Sequence, residues 1–162
     1  MAQAFGGKIE RKEMNEAQKI MHNQSKGLFC GRDQIKLKET FYQLDCAKHV
    51  FSPYSVRLPY LNVFSIYETG LELTLPGDAV VHGVSARSDQ PIIWTLKDNP
   101  RILGLQAHPS FNTNIMHELI VNKLYENGKI DDPLKIKFIE DIYDSQRPIM
   151  HNTLLKVIRA FL

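Results

Sequence analysis

The apolar run ILGLQA ends abruptly in His108-Pro109, where the chain passes through SFN into a helical pattern. An imidazole at the end of a strand can act as a base near neutral pH when a nucleophile and an orienting acid stand beside it. With neither, the same histidine is a buried or capping residue held by hydrogen bonds. Its neighbours along the chain leave both readings open.

The other residues of chemical type read as structural. Cys30 and Cys46 lack C-x-x-C spacing and read as buried or idle thiols. His49, His82, His117 and His151 show no metal-like spacing with cysteines or carboxylates, so no metal or cofactor is implied. Asp131-Asp132 reads as a helix start, its carboxylates meeting the positive end of the helix dipole rather than forming an acid/base pair. Trp94, in PIIWTL, is expected in the core.

The elements that must position these groups follow from period and punctuation. At 162 residues, with 43% hydrophobic and 23% charged residues, the chain can bury one core, and one domain is expected. Lys and Arg alternate with Asp and Glu around a net charge of +2, which points to neither nucleic acid nor an anionic membrane. No apolar run is long enough to span a bilayer, and Glu10, Glu13 and Glu16 are out of place in an acid-poor transit peptide. A cytoplasmic protein is expected, with an organellar or cytoskeletal assembly left open.

Met1 to Phe5 reads as a few helical residues stopped by Gly6-Gly7, and KIERKE as extended. NEAQKIMHNQSKG is too mixed to assign, and LKETFYQLDCAKHVFSPYSVRLP, broken by Pro53 and Pro59, reads as strands and loops. YLNVFSIYETG and AVVHGVSA alternate as strands around the turn LPGD, and PIIWTL pairs with ILGLQA across KDNPR. Residues 112–162 change to helical period. Ile115, Met116, Leu119, Ile120 and Leu124 form one stripe between a cap at Asn112 or Thr113 and a stop at Gly128. Asp132 as cap with Pro133 in the first turn opens a second helix, and Leu154, Leu155, Ile158, Phe161 and Leu162 share one face of a third. Residues 1–111 are thus mainly strands and loops, and residues 112–162 a helical tail, a mixed α/β layer.

GLQAHPSFN resembles the C-terminal signature of class I glutamine amidotransferases, G-x-Q-x-H-P-E, in which a strand delivers the catalytic His and Glu. LPGDAVVHGVSARSDQPIIWTL is similar to the family stretch ahead of that histidine, and MAQAFGGKIERK to the segment just after the nucleophile, where a helix ends in Gly-Gly-Lys. The tail LLKVIRAFL is similar to the eukaryotic gamma-glutamyl peptidase-like branch. The resemblance implies the C-terminal part of an open, largely parallel sheet flanked by helices. It also implies a cysteine attacking a glutamine amide or gamma-glutamyl bond, with the His as base and the Glu orienting it.

The departures from that pattern decide the expected function. Gly6, Gly7 and Lys8 place the family's nucleophile ahead of residue 1, and Cys30 and Cys46 follow Gly-Gly-Lys in the wrong order to replace it. His108 matches the catalytic His, but Ser110 stands where the Glu belongs, and a hydroxyl supplies no negative charge to an imidazolium. Gly70 or Leu71 takes the place of a second family His, with Glu72 at the neighbouring Asp. A degenerate, non-catalytic domain is therefore expected, with His108 and Ser110 as vestigial positions. It would serve as a structural or interaction subunit of a larger assembly whose protein partner covers an exposed sheet edge, with no nucleic acid and no membrane insertion. The alternative is a cysteine-dependent glutaminase or gamma-glutamyl hydrolase whose nucleophile-bearing half is supplied by another chain or missing from the gene model. A relic site still binding glutamine is a weaker third.

Overall fold

A computed structural model of the chain describes residues 2–51, 58–99, 101–144 and 151–162. The expected breaker Pro53 and the side chain of His151 lie outside the described residues. Among the described residues the main sheet has five strands: β2 (Leu28–Leu37), β3 (Tyr60–Glu68), β5 (Ala79–Ser85), β6 (Pro91–Leu96) and β7 (Leu103–Leu105), in the spatial order β3-β2-β5-β6-β7. β1 (Lys8–Arg11) and β4 (Leu71–Thr74) form a separate antiparallel ribbon.

Every pairing in the main sheet is antiparallel, which corrects the largely parallel sheet implied by the resemblance. The connections give the reason. Residues 86–90 join β5 to β6 and residues 97–102 join β6 to β7, while a parallel crossover needs about a dozen or more residues. The sheet also curls. Gln106 N–H still bonds Ile92 on β6, yet two residues later His108 N–H bonds the Phe64 carbonyl on β3, the strand at the opposite edge.

Three helices replace segments that sequence left open or read as strands and loops. α1 (Glu16–Gln24) is started by a capping box in which Asn15 and Gln18 exchange side-chain and backbone bonds. α2 (Glu39–Tyr42) and α3 (Asp45–Val50) occupy the link from β2 to β3, where Phe41, Tyr42 and Phe51 pack edge-on. Tertiary packing overrides weak local signals there.

In the second half a π-helix, Ile115–Val121, leads into α4 (Asn122–Glu126), and α5 (Asp132–Tyr143) and α6 (His151–Phe161) follow. Asn112 Oδ1 accepts from Ile115 N at 2.8 Å, as one of the two expected caps. The π register adds a residue to the turn and rotates the stripe, so Val121 is buried and Leu119, expected inside, is 59% exposed. Asp131, not Asp132, caps α5, accepting from Leu134 N at 3.2 Å with Pro133 in the first turn. On α6 Leu154 and Val157 carry the burial, whereas Leu162 lies beyond the helix at 98% exposure.

Successive side chains alternate across the strands, so the sheet has a core on each face. Ile35, Leu61, Val63 and Ile93 pack with Phe41, Ala47, Leu154 and Val157 on one side. Cys30 and Phe64 pack with Met116, Val121, Leu134, Phe138 and Ile142 on the other.

Candidate functional site

His108 sits where the chain leaves β7 and reaches β3. Its N–H donates to the Phe64 carbonyl at 2.9 Å, and its own carbonyl accepts from Phe111 N at 3.1 Å. The imidazole stacks flat on the Phe111 ring, with centroids 4.6 Å apart and 12° between planes. Burial holds its pKa below the usual histidine value, with no charged neighbour contributing. Pro109 is buried and Ser110 is exposed. Among the described residues no carboxylate bonds the ring. This environment favours a neutral, stacked imidazole over a charged one.

The strand leading to it is fixed by packing. Gly104 lies directly opposite Trp94 in the β6–β7 register, and a Cβ there would sit 1.9 Å from the indole ring. The glycine therefore makes room for Trp94, which is 3% exposed, as the sequence expected of a core residue.

Neither cysteine has the surroundings of a nucleophile. Cys30, on β2, is 1% exposed, and burial together with the Asp141 charge pushes its thiol up to about 12. Cys46, on α3, is also buried and raised, with burial the largest cause. Reactive thiols are lowered instead, by cationic or helix-end surroundings. Cys30 shares a core with Phe64, whose carbonyl His108 binds, but among the described residues no bond joins the thiol to the imidazole.

Three other histidines are separately engaged. His82 Nε2 is 2.8 Å from Thr95 Oγ1 in the interior, and burial lowers its pKa. His117 meets Tyr143 and Glu118, and His22 meets Thr69. No three His, Cys, Asp or Glu side chains converge as a metal site among the described residues. Gly70, at a second family position, takes a φ of +85° in the turn between β3 and β4, and Glu72 is exposed opposite Glu10.

Sequence reasoning missed a buried polar cluster on β2, β3 and the β5–β6 turn. Ser85 Oγ donates to Asp33 Oδ1 at 3.0 Å and accepts from the N–H groups of Arg87 and Ser88, each at 3.2 Å. Burial raises the Asp33 pKa, against the Ser85 bond and the Arg87 charge. Asp33 Oδ2, Ser65 Oγ, Tyr67 OH and Ser88 Oγ are buried without a partner of bonding geometry among the described residues. The visible signal was polar residues at strand positions, Asp33 in LFCGRDQIKL and Ser65 in YLNVFSIYE. Beside the cluster lies a cavity of about 480 Å³.

Together these elements define a glutamine amidotransferase-like α/β fold. It is similar to a solved glutamine amidotransferase from Thermotoga maritima, at 15% identity over 99% of this chain and 57% of that one, with a TM-score of 0.58. It is equally similar to a glutamine amido transferase from Methylobacillus flagellatus, at 15% identity, 99% and 57% coverage and a TM-score of 0.59. The chain thus spans somewhat more than half the length of these proteins. No protein-family model and no curated protein matches the sequence.

Proposed function

We propose that this chain is a glutamine amidotransferase-like domain without catalytic function, serving as a structural and interaction subunit of a larger protein assembly. The observation that carries this reading is the setting of His108, stacked on Phe111 and desolvated, with exposed Ser110 where the family pattern has its acid. An imidazole that no carboxylate orients is a poor general base, and the burial that lowers its pKa also opposes the imidazolium it would have to form. The tail LLKVIRAFL supports an origin in the gamma-glutamyl peptidase-like branch, and the charge pattern supports a cytoplasmic setting.

The span of 57% of its structural neighbours supports a second reading, a cysteine-dependent glutaminase or gamma-glutamyl hydrolase whose nucleophile-bearing half is supplied by another chain or missing from the gene model. Ammonia release from glutamine and from gamma-glutamyl peptides, assayed on the native assembly together with its mass in solution, separates the two. The proposal expects no release and a mass above that of one chain. Ammonia release dependent on a partner's cysteine supports the second reading, and a lone monomer overturns the subunit role.

A further inference from the structure

β7 stands last in the order of the main sheet, and the phase of its pairing with β6 shows what its other side offers. Gln106 N–H donates to the Ile92 carbonyl at 3.0 Å, and in an antiparallel ladder the residues that bond the neighbouring strand alternate. Gln106 and Gly104 therefore turn their backbone groups to β6, while Leu103 and Leu105 turn theirs outward. Among the described residues no strand pairs with that outer side, and neither leucine has a backbone partner there. Such an edge is a template for another strand, and proteins usually blunt it with charges or proline. Ile102 to Ala107, ILGLQA, carries neither. The opposite edge of the sheet differs: on β3 the Phe64 carbonyl is taken by His108 N–H, and Glu68 is exposed.

The side chains at the edge define what fits beside it. Leu103 and Leu105 are half-buried and pack against the core that contains Ile93, Leu154 and Val157. On the other face Gly104 lies opposite the buried Trp94. A strand added here would extend an apolar layer on both faces, and strands buried on both faces are continuous apolar runs. A second copy of this chain is a poor occupant. Its symmetric pairing would centre on Gly104 against Gly104, where neither chain has a side chain to contribute to the cross-strand contact.

We propose that the outer edge of β7 is the docking site for the assembly, where Leu103 and Leu105 pair with an extended, uncharged apolar strand of another polypeptide. Main-chain bonds to the two leucines would give the affinity, and a bulky apolar residue beside Gly104 the specificity. The inference rests on the subunit reading above and names the contact that reading requires. It is independent of whether His108 catalyses.

Amide hydrogen exchange on the purified chain and on the native assembly tests it. In the chain alone, Leu103 and Leu105 are expected to exchange at least about tenfold faster than Gly104 and Gln106, whose amides face β6. In the assembly the two leucine amides slow by about 100-fold or more. Leu103→Pro removes one outward donor and no bond to β6, so the chain keeps its fold while the assembly weakens at least about tenfold; Leu103→Val, which keeps the donor, keeps the assembly. If Leu103→Pro does not fold, the exchange comparison decides alone. An assembly in which the leucine amides exchange as they do in the free chain overturns this proposal and leaves the subunit reading standing, whereas a lone monomer overturns both. A particle made of two copies and nothing else overturns the assignment of the edge to another polypeptide.

Discussion

The backbone N–H of Arg32 donates to Oδ2 of Asp141 at 2.5 Å, and the Arg32 side chain donates back to the main-chain carbonyls of Asp141, at 3.0 Å, and Ile142, at 2.6 Å. β3 lies beside Arg32 on one side, but β2 pairs with β5 only from Ile35 to Leu37, so among the described residues no strand pairs with Arg32 on the other. The end of α5 takes the strand's place.

Asp141→Ala leaves the Arg32 N–H unbonded and is expected to cost about 1–3 kcal/mol in urea unfolding, with Asp141→Asn milder because an acceptor remains. Gly31 supplies an independent check, since a Cβ there would lie 2.1 Å from Asp141 Oδ2. Gly31→Ala should destabilise the wild type more than it destabilises Asp141→Ala. Strict additivity of the two changes would show that the contact is absent.

Gly104→Ala places a methyl group inside the indole ring of Trp94. Overpacking of this kind costs about 1–3 kcal/mol. Trp94 is the sole tryptophan, so its fluorescence reports the strand directly. A lower melting temperature with a shifted emission is expected, and an unchanged spectrum would count against the packing.

His108 and His82 both have pKa values lowered chiefly by burial. Between the folded value and the unfolded value of about 6.5, the unfolded chain binds more protons, so stability falls as pH falls through that window. Asp33 is raised and acts with the opposite sign, gaining stability as pH drops through its folded value. His108→Gln should therefore flatten the decline below about pH 6.5, and the His108 ring should titrate below the usual histidine value by NMR. A ring titrating above that value would mean that an acid faces it.

Much of this architecture was legible because alternation, apolar β-prone runs and turn chemistry survive in several strands. YLNVFSIYE, AVVHGVS and PIIWTL became β3, β5 and β6, and Gly6, with φ +89°, ended the short 3₁₀ turn Ala2–Phe5. β2 was invisible because it is buried on both faces and carries Arg32 and Asp33 at its centre, which breaks any alternation. α1 was hidden because its apolar residues form no buried stripe, its capping box being the one readable signal. The family signature located His108, but a one-dimensional pattern could not show the stacking on Phe111 or the curl that brings His108 to Phe64.

Cys30 and Cys46, both raised and buried, should resist iodoacetamide in the native protein at pH 8 and react on unfolding. Intact mass before and after denaturant reads this directly. Rapid native alkylation of Cys30 would contradict a thiol held near 12.

The most direct measurement compares ammonia release from glutamine and gamma-glutamyl peptides by the native protein and its His108→Ala variant, each within its assembly. A non-catalytic His108 predicts no release above background in either. Turnover in the wild type that disappears in His108→Ala would show that the imidazole still works as a base.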